Sequence, residues 1–327
     1  MLRRTVERIT FAIGGALIGA IGFYEYEKFR PKLPVPLPTL KPLSVSIEPD
    51  KKFPWEWHDT AFNDLFEREA YIVSYNRRLR HPNWVLEHLT KESLKRGEGV
   101  DRSKSRFLED LDIPEKFRAK LVDYVKSGYD RGHMAPAGDA KFSQEAMDQT
   151  FLLSNMAPQV GNGFNRDYWS YFEEFCRRLI YREDFKDVYV FTGPAYLPKK
   201  DEKTNKWYVK YEVIGDSPNV AVPTHFFKVI LAAKDDPSKP GGRFYALDAF
   251  IMPNERISDA TPLTVFKIPI DALERATGLT FLNQTVETVP LCSAEASKCI
   301  LVANPKHVKE ELRSALPEPS KNKSANN

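Results

Sequence analysis

A single long amphipathic stripe runs through residues 165–181, and the chain beyond it is strand after strand rather than helices alternating with strands. Tyr168, Phe172, Phe175, Cys176 and Leu179 recur at the three- and four-residue spacing that gathers apolar side chains on one helix face. Strand-like runs follow at 188–192, 207–214, 220–232 and 244–252, and a short helix over 270–277 is stopped by Gly278. In the second run Trp207, Val209, Tyr211 and Val213 alternate with Tyr208, Lys210 and Glu212, the period of an antiparallel strand buried on one face. Strands in succession, with helices gathered at one place, predict an α+β fold: a mainly antiparallel central sheet with flanking helices. Upstream of the stripe, 151–155 reads as a short buried strand and the residues around His133 as another arm, giving a strand, strand, helix unit. No Gly-rich phosphate loop and no internal repeat is visible.

Chemistry-bearing residues crowd into that unit. Asp130-Arg131-Gly132-His133 is followed by Ser154-Asn155, Pro158-Gln159 and then Asn165. An imidazole is the side chain best placed to take a proton from water near neutral pH. A neutral amide oxygen such as that of Asn165 binds a hard cation without diminishing its charge, and Mg²⁺ is usually gripped by few protein groups. A guanidinium such as Arg131 clamps phosphate oxygens as charge builds on them. The set suits metal-assisted attack of water on a phosphodiester. With Asn165 in the first turn of the helix, Glu173 lies eight residues on, a rise of about 12 Å. It is therefore expected to act through metal-bound water rather than beside Asn165 in the inner shell. Asn162 is a competing amide. Asp130 is read as structural, fixing the turn or Arg131, and Trp169 as core. His81, His88 and His225 have no motif around them.

The 327 residues carry 48 Lys and Arg against 45 Asp and Glu, a net charge of +3, so affinity for a polyanion must come from a local groove. Candidates are Arg77, Arg78 and Arg80 in a strand-turn-strand context, which is preferred, and Arg102, Lys104 and Arg106. The first 26 residues stand apart: Arg3, Arg4 and Arg8 precede an uncharged stretch over 9–24. As a helix it spans about 24 Å, short of the ~30 Å hydrocarbon core. It reads as a targeting segment or marginal membrane anchor, and no clear cleavage site follows. Residues 27–58, with Pro31, Pro34, Pro36, Pro38, Pro42 and Pro49, form a semi-rigid spacer, and 313–327 a disordered tail. Three cysteines make no disulfide framework; Cys176 reads as a core thiol, and Cys292 and Cys299 are free to bridge locally in an oxidising compartment.

The motif residues, spaced as they are and joined by Trp169 and Glu173, resemble the DNA/RNA non-specific endonucleases of the ββα-metal (His-Me finger) superfamily, and within it the endonuclease G group. Tyr208-Val209-Lys210-Tyr211 with Val213-Ile214-Gly215, Ala221-Val222-Pro223-Thr224-His225-Phe226, and Met252-Pro253-Asn254 are similar to that family as well, so the resemblance spans roughly 60–285. It implies that 59–312 is an endonuclease domain with a ββα-metal active site. It further implies His133 as general base, Asn165 as direct ligand of Mg²⁺ (Mn²⁺ as a substitute), Glu173 on metal waters, Arg131 on the phosphate and Asn155 supporting the site. Cleavage of DNA and RNA to 5′-phosphate ends, a homodimer, and residence in mitochondria at the inner membrane facing the intermembrane space are implied too, with the secretory pathway as the alternative. Two rival readings are a catalytically silent membrane-tethered nucleic-acid-binding protein and a phosphodiesterase for another substrate.

Overall fold

The structure, a computed structural model, describes residues 64–183, 185–236, 238, 242–282, 287–292, 299 and 301. The expected N-terminal segment, spacer and tail lie outside these residues. Among the described residues no helix is long and apolar enough to cross a membrane.

β1 (Asp64–Glu67), β2 (Tyr71–Asn76) and β3 (His81–Leu89) form an antiparallel meander. The chain then makes β4 (Asp130–His133), α1 (Gln144–Gln149), β5 (Met156–Gln159) and α2 (Tyr168–Arg182). It returns through β6 (Asp187–Ala195) to the short pairs β7 (Lys199–Lys200) with β8 (Trp207–Tyr208) and β9 (Val213–Ile214) with β10 (Val220–Ala221). Two long strands, β11 (His225–Asp235) and β12 (Arg243–Pro253), precede β13 (Lys267–Ile268), α3 (Ile270–Thr277) and β14 (Val289–Pro290). The central sheet runs β1-β2-β3-β6-β11-β12-β13, antiparallel throughout, with β14 parallel beside β12. This is the α+β class expected.

β11 shows why one sheet needs both helices. Phe226 and Ile230 belong to the core beneath α2, with Trp169, Phe172 and Phe250, whereas Phe227 and Val229 pack with Leu273 of α3. Both faces of the strand are thus dry, which is why its sequence reads as one apolar run. The helix stripe inserts as aromatic edges: Phe172 meets Phe250 at 5.2 Å and Trp169 meets Phe226 at 5.6 Å. α3 ends on Gly278 at φ +72°, the left-handed cap expected there.

Two expected strands are otherwise. The run 207–214 is not one strand but the ends of two small hairpins, and its apolar members face out: Trp207, Val209, Tyr211 and Val213 are 43, 50, 39 and 39% exposed. A period of two shows that alternate residues share a side; it does not show that a second layer covers that side. Residues 151–155 likewise make no strand: Leu153–Asn155 is a 3₁₀ turn, and the strand begins at Met156.

Candidate active site

β4 and β5 pair antiparallel, with Gly132 opposite Ala157 and His133 opposite Met156. A Cβ on Gly132 would lie 1.8 Å from the Gln159 side-chain oxygen, so a larger residue there would have to displace the buried Gln159 side chain. The chain leaving His133 is held by Asn155, which is fully buried. Its side chain accepts from the Ala135 amide at 2.9 Å and donates to the carbonyls of Ala135 (2.9 Å) and Thr150 (2.8 Å), while its own carbonyl accepts from Met134 at 2.9 Å. The 3₁₀ turn that replaces the expected strand is what aims this amide across at the His133 arm.

Asn165 sits before α2, not in its first turn. Gly161–Asn165 forms a wide turn closed by the Asn165 amide on the Val160 carbonyl at 2.9 Å, with Gly163 at φ +80°, and the helix starts only at Tyr168. Asp167 is the reason: at φ −124°, ψ −98° it is outside the helical region, so the helix cannot extend back to Asn165. The Asn165 side-chain nitrogen donates to Asp130 at 2.9 Å. Asp130 also takes a bidentate pair from Arg166, at 2.6 and 2.8 Å, and so steadies Arg166 and Asn165 instead of Arg131. Arg131 lies 4.3 Å over the Phe107 ring. Asn162 is exposed, and its side-chain oxygen accepts only a long contact from Arg166 at 3.4 Å.

His133, Arg131, Asn165 and Glu173 line one cleft of about 710 Å³ together with Arg102, Tyr129, Asp130, Arg166 and Arg177. Asn155 stands behind it. The His133 ring meets Phe151 edge-on at 4.9 Å, and its Nε2 is buried with no hydrogen-bond partner among the described residues. Burial, aided by the Arg102 charge, pushes its pKa down to about 3, so near neutrality the imidazole is uncharged, the form that accepts a proton. Burial pushes the Glu173 carboxyl up to about 7, against the opposing pull of Lys228 and Arg177.

The family model for DNA/RNA non-specific endonucleases matches residues 59–288. The chain belongs to that family. The endonuclease is 51% identical over 271 residues to "Mitochondrial nuclease" of Saccharomyces cerevisiae, covering 81% of each chain, and 44% identical over 218 residues to human "Endonuclease G, mitochondrial", covering 67% of this chain and 69% of that one. Among solved structures, a chain of the EndoG/EndoGI complex superposes with a TM-score of 0.62 at 48% identity, over 68% of this endonuclease and 86% of that chain. The endonuclease is accordingly a nuclease and a hydrolase.

Its sequence points to some of the cleft and misses the rest. Arg177, four residues after Glu173 and so on the same side of α2, carries the i,i+4 signal that would have found it. Arg102, of the less favoured basic cluster, is in the cleft. The favoured cluster is elsewhere: Arg77 pairs with Asp64 at 2.6 and 2.8 Å, and Arg80 donates to Asn219 and the Lys116 carbonyl, both guanidinium groups lying over Phe117. Only Arg78 of the three is exposed. No three His, Cys, Asp or Glu side chains converge on an ion position among the described residues. The donor set present, one amide oxygen whose nitrogen end is occupied plus a carboxylate across the cleft, fits a hard divalent cation that keeps most of its water. Cys292 and Cys299 form a disulfide, and Cys176 is buried in the core.

Proposed function

We propose that this endonuclease hydrolyses phosphodiester links of DNA and RNA with His133 as general base and a single Mg²⁺, or Mn²⁺ in its place, on Asn165, leaving 5′-phosphate ends. Bound there, the ion would neutralise charge on the phosphate and on the leaving oxygen. His133, held neutral, takes the proton of the attacking water. Asn155 keeps the imidazole in place by fixing the two residues that follow it. Asn165 would hold the ion through its carbonyl oxygen, because Asp130 holds the nitrogen end, and Glu173 would steady the ion's hydration shell. Arg131 meets the phosphate oxygens. Arg78 extends the nucleic-acid track over the surface, while Arg77 and Arg80 order the turn that carries it.

The observation carrying this reading is the shared cleft: an uncharged His133, a nitrogen-locked Asn165 and Glu173 line the same wall-to-wall space. Circular plasmid and structured RNA incubated with Mg²⁺ should both be cut internally, with 5′-phosphates on the products. His133→Ala should remove cutting while retaining nucleic-acid binding. Binding without turnover in the wild-type protein would favour the silent nucleic-acid-binding reading, and turnover confined to other phosphodiesters would overturn the substrate assignment.

The exposed large apolar side chains of Trp207, Val209, Tyr211 and Val213 support a homodimer, since apolar surface gathered in one region marks association sites. Sedimentation of wild type against Trp207→Asp tests it. The names of the relatives, with the basic and then apolar N-terminal segment, support a mitochondrial address, the segment holding the domain at the inner membrane on the intermembrane-space side. Protease protection in fractionated mitochondria tests that assignment, and recovery of the protein from secretory vesicles would replace it.

A further inference from the structure

Behind the cleft floor lies a group of charges that the proposed chemistry does not use. Glu87 of β3, Asp139 of the loop after His133, and Lys228 of β11 are 2, 4 and 1% exposed. Asp139 bonds Arg177 of α2, which lines the cleft with Glu173, and the charges of Asp139 and Lys228 act on Glu173. Arg177 donates to Asp139 at 2.5 Å and to Glu174 at 2.8 Å, and its guanidinium lies so close to Gly138 that a Cβ there would be 2.8 Å from Nη1. Lys228 donates to Thr192 of β6 at 2.7 Å and sits 4.8 Å over the Trp169 ring. The Glu87 carboxyl is within hydrogen-bonding reach of Asp139.

We infer that Asp139 is a positioning residue that holds Arg177 in the cleft, and that Glu87 holds Asp139 by donating a carboxylic-acid proton to it. Two facts lead there. Two carboxylates cannot bond each other, so a contact between them requires one proton. A shared proton also spares the buried pair one uncompensated negative charge, which is costly. Asp139 already accepts from the Arg177 guanidinium at 2.5 Å, so the proton of the pair is placed on Glu87. The pair ties three elements together: the loop leaving His133, the helix bearing Glu173 and the interior strand β3. Burial acts in the same direction, raising the Glu87 carboxyl well above its ordinary range. Arg177 thereby becomes a second guanidinium held ready for phosphate, and this role rests on the nuclease reading given above.

The test compares Glu87→Gln, Glu87→Ala and Asp139→Asn in the full-length protein, checked for folding by circular dichroism and melting. Glu87→Gln keeps a donor and should retain activity within about threefold. Asp139→Asn removes the charge that holds Arg177 and should lower kcat at least tenfold with KM within about threefold, because small misplacements of a phosphate-binding group cost rate first. Glu87→Ala should fall between them. Independently, infrared spectra near pH 8 should contain a protonated-carboxyl C=O band in the wild type that Glu87→Gln removes. A band that survives Glu87→Gln, or an Asp139→Asn protein as active as wild type, would overturn the inference. The infrared readout needs no turnover, so a wild-type protein inactive on nucleic acid would defeat the nuclease reading while the band still decided the pair.

Discussion

The carboxylate of Asp130 accepts from the side-chain nitrogen of Asn165 at 2.9 Å and so decides which end of that amide the cleft meets. An amide free to turn would offer a cation its donor end half the time. Asp130→Ala should therefore raise the Mg²⁺ concentration needed for half-maximal cleavage by 10- to 100-fold, the usual effect of removing a group that orients a ligand. Rate measured against Mg²⁺ checks this; an unchanged midpoint would count against Asn165 as the ligand.

Asn165→Ala removes the ligand itself. Activity should drop by at least two orders of magnitude at low Mg²⁺ and recover only in part at high Mg²⁺. Asn162→Ala, at the exposed neighbouring amide, should cut within about twofold of wild type. The reverse pattern in the same plasmid-nicking assay would move the ion to Asn162.

His133 should leave a mark on stability as well as on rate. Its folded pKa of about 3 lies below the ordinary 6.5, so the unfolded chain binds the proton more readily. The stability contributed is complete above about pH 6.5 and is lost as the pH falls from there towards 3. Denaturant unfolding of metal-free His133→Gln should be flatter across that window than wild type, and an identical slope would show that burial of the imidazole is not what limits acid stability.

Glu173 works the other way. Its folded pKa of about 7 is raised from 4.5, so its contribution is complete below about pH 4.5 and is lost as the pH rises through 7. Above that, the metal-free fold carries a buried charge costing at most about 3 kcal/mol. Glu173→Gln should thus melt higher than wild type at pH 8 without metal while cutting far more slowly. A variant equally slow but no more stable would place Glu173 in better-solvated surroundings than the cleft.

Asn155 makes three side-chain hydrogen bonds in a dry setting. Asn155→Ala should cost about 2–4 kcal/mol, most of it from the carbonyls of Ala135 and Thr150 left without donors. Chemical denaturation measures that loss, and kcat should fall with it as the His133 arm loosens.

Much of this architecture is legible in the chain because it is local. The stripe from Tyr168 to Leu179, the Gly278 stop and the crowding of Arg131, His133, Asn155 and Asn165 each depend on spacing alone. What spacing does not carry is who meets whom at a distance. Asp130 could have steadied its neighbour Arg131; it bonds Arg166, 36 residues away. Arg77 and Arg80 look like open cations until Asp64, Asn219 and Phe117 are placed around them. The alternation through Trp207 and Val213 is present in the sequence, yet no single strand realises it and its apolar members meet solvent, because burial depends on a covering layer.

The disulfide between Cys292 and Cys299 follows directly on β14, the parallel strand beside β12. β14 lies beside β12 through only two residue pairs, and the Cys292 amide rests on Asp248, itself paired with Lys267. A thiol reductant should let this margin fray while the nucleolytic machinery keeps its shape. Ageing or stressed preparations would then become sticky or protease-sensitive at the carboxy-terminal side well before they stop working.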